Sequence, residues 1–193
     1  MDLKNTETRI KMLPILALVF QLLSLIFLFI EGAIKKVHIY YYSTYTLEPS
    51  NVYSYKKSIH SAATDKFDLG GSPEIKYTGH SFWFYSFLIL LIVSMIYIIF
   101  TMVKGNIISQ KISALIIAGI SLYGMIMAIV SGSMKTGVGK FGKIYYELKP
   151  IGYMFIIFCI IVIALKVIEF FLVYKQEKTE PITESEEMAA DNN

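Results

Sequence analysis

The chain has 193 residues, of which 55% are hydrophobic and 17% charged, with a mean hydropathy of +0.55 and a formal net charge of +3. That balance excludes an ordinary soluble globule, and the spread of the lysines over tails and loops gives no concentrated patch for a nucleic-acid partner. The single cysteine, Cys159, excludes an intrachain disulfide.

Residues 1–11 form a short polar tail expected in the cytoplasm. The first predicted membrane span covers residues 12–31, with an apolar run over 13–30 that contains no charged residue. Pro14 falls in its first turn, where a missing N–H is tolerated, and Gln21 lies halfway along, placed to hydrogen-bond to another helix. A cleaved leader is the competing reading, because Lys4, Arg9 and Lys11 precede the run. The apolar stretch exceeds a leader's core, and a cut after Ala33 would put Glu31 where a small residue is required.

Residues 32–81 form a long exposed loop that holds half of the chain's 14 tyrosines. The segment 37–47 (VHIYYYSTYTL) reads as a strand with Val37, Ile39, Tyr41, Tyr45 and Leu47 on one face, ended by Pro49. Residues 51–57 (NVYSYKK) read as its returning strand. After Gly-Gly-Ser-Pro, residues 74–78 (EIKYT) read as extended. The tyrosines Tyr40, Tyr41, Tyr42, Tyr45, Tyr53 and Tyr55 are the candidate partner-binding residues, since exposed aromatic faces make good contact surfaces.

The second span, 82–103, opens with Trp83 and Tyr85, which with Tyr153 fit interfacial anchors. A polar link at 104–111 leads to the third span, 112–131. There Ala114, Ala118, Ser121, Gly124, Ala128 and Gly132 recur every three or four residues, a stripe of small side chains that admits a neighbouring backbone. Internal packing is the expected use, with a homodimer seam as the alternative. The second exposed loop, 132–150, carries a predicted strand at 143–148 (KIYYEL) before Pro150, which suits the first turn of a helix. The fourth span, 151–174, holds the only intramembrane charges, Lys166 and Glu169. They stand one turn apart near its end, where lysine can snorkel and neutralise the glutamate. The spans measure about 18 to 24 residues, roughly 27 to 36 Å at 1.5 Å per residue, enough to cross a hydrocarbon core. Residues 175–193 are Glu-rich and are expected to be disordered.

Catalytic signatures are absent. There is no H-E-x-x-H, nucleophile elbow or Walker motif, so no enzyme activity and no cofactor are expected. His38, His60 and His80 lie in the first loop, and a zinc site would need them to converge with Glu48, Asp65, Asp68 or Glu74. Their spacing does not require that, and no metal is expected. Gly137, Gly139 and Gly142 match G-x-G-x-x-G but follow a membrane helix instead of a strand, so the match reads as a turn.

Four spans, a long first loop with strands and a shorter second loop with an extended segment before the fourth span resemble, over residues 12–175, the claudin-type tetraspan layout. The W…G-L-W…C…C pattern of that family is not present. The resemblance implies an all-α integral membrane protein, with a small sheet from the two loops capping a left-handed four-helix bundle, that acts by lateral or head-on contacts. The expected function is therefore a non-catalytic multi-pass protein of the cell membrane with both tails cytoplasmic. Its expected partners are the bilayer and another membrane or envelope protein, with homo-oligomers as a further option. The alternative is a small transporter or channel component with its pore between protomers, lined by Gln21, Ser94, Ser121, Lys166 and Glu169.

Overall fold

The computed structural model describes the backbone of residues 3–41, 49–64, 66–68, 76–78, 81–104, 107–138 and 142–190, and the side chains of 11–39, 52–64, 81–103, 108–135 and 143–176. Four long helices dominate: α1 (Leu3–Phe29), α3 (Ser81–Lys104), α4 (Ile107–Ser133) and α5 (Pro150–Ala190). Within them, Lys11–Phe29, Ser81–Val103, Ile108–Ser133 and Pro150–Gln176 are long and apolar enough to cross a membrane. Glu-, Met- and Ala-containing residues 175–190 continue α5 as helix where an unstructured tail was expected. Lys, Gln, Glu, Met and Ala in this stretch are helix formers, whereas Pro181 within it is not.

The helices pack in a ring. α5 lies between α1 and α4, α4 also packs against α3, and α3 closes on α1. Their buried positions have one period. On α1 these are Pro14, Ala17, Gln21, Ser24 and Leu28; on α3, Phe84, Phe87, Leu91, Ser94, Ile98 and Thr101; on α5, Gly152, Phe155, Cys159, Val162, Lys166, Glu169 and Val173. Alternating steps of three and four average 3.5 residues, the seam spacing that lets long helices stay in contact as they wind left-handedly. α4 is buried on a wider face because, besides α3 and α5, it packs against the loop segments 59–63 and 142–148.

The loop end of the bundle carries a four-stranded sheet in the order β2-β1-β6-β5: β1 (Ile34–Tyr41), β2 (Pro49–Lys57), β5 (Lys135–Val138) and β6 (Gly142–Leu148). All three pairings are antiparallel. The second-loop strand therefore does join the first-loop hairpin, through β1 and β6. Two details differ from expectation. Of the expected segment 74–78, residues 74 and 75 lie outside the described residues, and β4 (Lys76–Thr78) pairs with β3 (Lys66–Asp68) in a separate two-stranded ladder. The glycine-rich stretch lies across the β5–β6 hairpin, with Gly137 and Gly142 in its strands, which excludes a βαβ nucleotide site.

Short links seat the sheet. Gly32 adopts a left-handed φ of 87° between α1 and β1, a conformation that side chains disfavour. The Lys149 amide donates to the Ala33 carbonyl at 2.9 Å, and the Tyr146 amide to Met134 at 2.9 Å. Between sheet and bundle lies the short helix α2 (Ile59–Ala63), capped by Ser58, whose Oγ accepts from the Ser61 amide at 3.0 Å. Ile59, Ala62 and Ala63 join Leu28, Ile34, Phe84, Ile144, Tyr146 and Phe155 in one core cluster, so bundle, α2 and sheet share a continuous apolar interior.

Candidate contact surface on the loop sheet

Residues directly opposite in an antiparallel ladder point to the same side of the sheet. Ile34, Ile144 and Tyr146 reach the shared core, which defines the inner side. On it, Lys57, Ile34 and Leu148 form one row across β2, β1 and β6; Tyr55, Lys36 and Tyr146 the next; Tyr53, His38 and Ile144 the third. The inner side of β1 is therefore Ile34, Lys36 and His38. Val37 and Ile39, expected on one apolar face, lie on the other side because the ladder register follows Ile34 into the core, and Val37 is buried there at 2% exposure; the Tyr41 side chain lies outside the described ones. A one-residue change of phase reverses every side chain.

Exposure rises sharply along each row. Tyr146 is 3% exposed, whereas Tyr55 and Tyr53 on β2 are 49% and 48% exposed. Lys36, buried between them, places its ammonium 5.8 Å from the centre of the Tyr146 ring. The Tyr55 ring meets His38 edge-on at 5.6 Å. On the other side Val52, Ser54 and Lys56 are exposed. Among the described residues β2 pairs only with β1, and its side chains from Val52 to Lys56 are exposed on both sides of the sheet.

Of the six candidate tyrosines, Tyr53 and Tyr55 thus stand exposed on β2. The backbones of Tyr40 and Tyr41 pair with Asn51 and Pro49 across an irregularity in the register. Tyr42 and Tyr45 lie outside the described residues. No group of three metal-ligating side chains occurs among the described residues; His80, Glu48, Asp65 and Glu74 lie outside them, as does the Asp68 side chain. His60 packs instead among the rings of Phe29 at 5.2 Å and Phe84 at 5.1 Å.

The bundle holds the other candidates. Ala114, Ser121, Gly124, Ala128 and Gly132 are buried inside it and Ala118 partly so. A Cβ added at Gly124 would lie 2.5 Å from the Phe87 ring, and one at Gly132 2.7 Å from Leu148. Gly152 makes a still closer backbone approach: its Cβ would stand 2.6 Å from the Ala33 carbonyl oxygen and 2.7 Å from Leu148. Gly152 follows Pro150 in an apolar run, and nothing in that pattern singles it out.

Lys166 Nζ donates to Glu169 Oε2 at 2.7 Å, and each residue is only 1% exposed. Snorkelling does not occur, because both occupy the inter-helix seam of α5 and not its lipid side. Gln21 Nε2 donates to Ser94 Oγ at 3.1 Å, joining α1 to α3. Gln21, Ser94, Ser121, Lys166 and Glu169 all face the interior of this one bundle, so they do not line a seam between protomers. Ile98, Ile117 and Val162 pack together in the middle of the bundle. One turn nearer the termini, the same helices present Thr101, Ser113 and Lys166, all buried.

At the sheet, Glu147 accepts from Lys149 at 2.8 Å. This hydrogen bond holds the Glu147 carboxyl below the usual carboxylate range, and the charges of Lys149 and Lys35 act in the same direction.

A ring of four membrane-length helices bearing a mixed-loop β-sheet on one end is the class of architecture that these elements define. No protein-family model, curated protein or solved structure matches the chain.

Proposed function

We propose that the protein is a non-catalytic multi-pass component of the cell membrane that works by protein–protein contact, with the β2 edge of the loop sheet as its contact surface. The observation that carries this reading is the placement of Val52, Tyr53 and Tyr55, exposed on a strand that among the described residues pairs only with β1, which is itself anchored in the bundle core. An edge strand offers main-chain donors and acceptors to a partner, and tyrosines add large contact area at small entropic cost. Both tails are assigned to the cytoplasm on the basic flank of α1, formed by Lys4, Arg9 and Lys11. The partner is another membrane or envelope protein, and the claudin-like layout supports such a role.

The test is a photocrosslinker at position 52, with Tyr53→Ser and Tyr55→Ser introduced together. The expected result is unchanged membrane expression and loss of the crosslinked partner. A second reading, transport through the bundle, draws on the inward placement of Lys166 and Glu169 beside Gln21, Ser94 and Ser121. Reconstituted flux that disappears in a folded Lys166→Met/Glu169→Leu variant, with capture at β2 intact, would favour it over the contact reading.

A further inference from the structure

Toward the chain termini, the four long helices bring buried side chains of a different kind to one level. Ile98, Ile117 and Val162 pack together with Leu18 against them. One turn further toward the termini stand Thr101 on α3, Ser113 on α4, Lys166 on α5 and Pro14 on α1, all buried. Glu169 follows Lys166 by one turn of α5 and is equally buried. The pair lies on a single helix, so it ties no two helices together, and the desolvation of its two ions offsets most of their attraction. Fold stability therefore does not account for it, and ionisable groups held at such depth point to a bound species.

An ammonium has three N–H donors, and Lys166 directs one of them to Glu169 at 2.7 Å. Ser113 is 0% exposed, and its Oγ has no hydrogen-bond partner among the described residues. Thr101 Oγ1 donates to the Ile98 carbonyl at 2.9 Å. Donors without an acceptor favour a guest that accepts, and an anion does so most strongly. An anion alone would leave a net negative charge in an apolar interior, because Lys166 and Glu169 together are neutral. We infer that this layer binds a small monovalent anion of halide size together with a proton. The anion accepts from Lys166 Nζ and Ser113 Oγ, and the proton bonds to the Glu169 carboxylate, so that ammonium, neutral acid and anion sum to zero. Among the described side chains the other helices add no charge at this level: α1 supplies Pro14, α3 Thr101 and α4 Ser113. Lys111 lies further toward the termini, its ammonium 5.0 Å from the centre of the Tyr174 ring. The apolar layer of Ile98, Ile117 and Val162 closes the site toward the loop sheet, so exchange is with the terminal side. The site is separate from β2 and does not depend on the contact reading above.

The experiment uses the full chain in nanodiscs at constant ionic strength, with bromide exchanged for the bulkier gluconate. It reads the melting temperature and the proton uptake of a weakly buffered sample. The parent is expected to melt higher in bromide, to take up a proton for each bromide bound, and by linkage to bind bromide more tightly as pH falls. Glu169→Gln, which mimics the neutral acid, is expected to bind bromide without proton uptake and independently of pH. Ser113→Ala is expected to weaken bromide roughly tenfold by removing one donor. No response of the parent to the exchange, the outcome if water alone fills the layer, would overturn the inference. So would a bromide response that persists in Lys166→Met/Glu169→Leu, which would assign it to surface lysines, or proton uptake on bromide binding that persists in Glu169→Gln. The parent and the double variant, whose fold is expected to be retained, decide the matter even where a single variant fails to fold.

Discussion

Glu169→Leu is the most informative single change in the bundle. In the folded protein Lys166 is 1% exposed and donates a hydrogen bond to Glu169 at 2.7 Å. Val162 and Val173 flank the pair on α5, Ile98 and Ile117 form an apolar layer on one side, and Thr101 and Ser113, hydroxyls without charge, lie at the level of Lys166. Removing the carboxylate leaves an ammonium with no counter-charge in a dry interior, for which a loss of about 3–5 kcal/mol is expected. Replacing both members, Lys166→Met/Glu169→Leu, removes the charge and keeps the volume. The double variant is expected to be within about 1 kcal/mol of the parent or more stable than it, because desolvating two ions offsets most of their mutual attraction. The assay is reversible unfolding in detergent micelles for the parent, both single variants and the double variant, read as a double-mutant cycle. Lys166→Met alone should also be costly, since it strands the carboxylate. If both single variants unfold with the parent, the ammonium reaches water and the seam is not dry, and the placement of the pair inside the bundle is refuted.

Three further perturbations follow from the same contacts. Gly124→Ala puts a methyl group against the Phe87 ring at 2.5 Å and should cost about 1–3 kcal/mol by overpacking, with recovery in Gly124→Ala/Phe87→Leu, measured by the same unfolding assay. Gly152→Ala should cost more and should not be recovered by trimming Leu148, because its nearest neighbour is the Ala33 carbonyl oxygen, a backbone atom also engaged by the Lys149 amide. The acidic titration of Glu147, followed by carboxyl NMR, should move up toward the ordinary carboxylate value in Lys149→Met. With the folded pKa depressed, any stability from this pair is complete above the unfolded carboxylate pKa and is lost as pH falls through the folded one; Lys149→Met should flatten that acid limb.

Composition alone made the helices legible, because a run of apolar residues long enough to cross a bilayer needs no partner to be recognised. The strands β1, β2 and β6 were legible for a related reason: their Val, Ile and Tyr runs are bounded by Gly and Pro. What the pattern did not carry was phase. An all-apolar helix has no preferred face in its own sequence, so the α5 seam was hidden except at Lys166 and Glu169, and there the sequence suggested the surface instead of the interior. In β1 the side toward the helices bears Ile34, Lys36 and His38 while the other bears Val37, itself buried, and Ile39, so alternation alone did not tell which side meets the bundle. Ladder register, a relation between Ile34, Lys57 and Leu148 that are far apart in sequence, decides it. Residues 59–63 were too short to show a helical period, and β5 lay within a turn signal.

The candidate surface is informative because of how the bundle holds it. Three strands are direct continuations of membrane-length helices: β1 follows α1 through Gly32, β5 follows α4, and β6 precedes α5. Leu148, at the end of β6, sits against Gly132 and Gly152, where α4 and α5 have no side chain to obstruct it. The sheet therefore cannot rotate on the bundle without separating helices whose seams are closed. β2 has no such continuation into a long helix; it is held by its ladder to β1 and by α2 beneath it. A three-strand mount fixes the orientation in which β2 presents the exposed rings of Tyr53 and Tyr55. On the contact reading proposed above, much of the entropic cost of ordering a binding strand is already met in folding the protein itself, and the bundle acts on recognition through the geometry it imposes on β2.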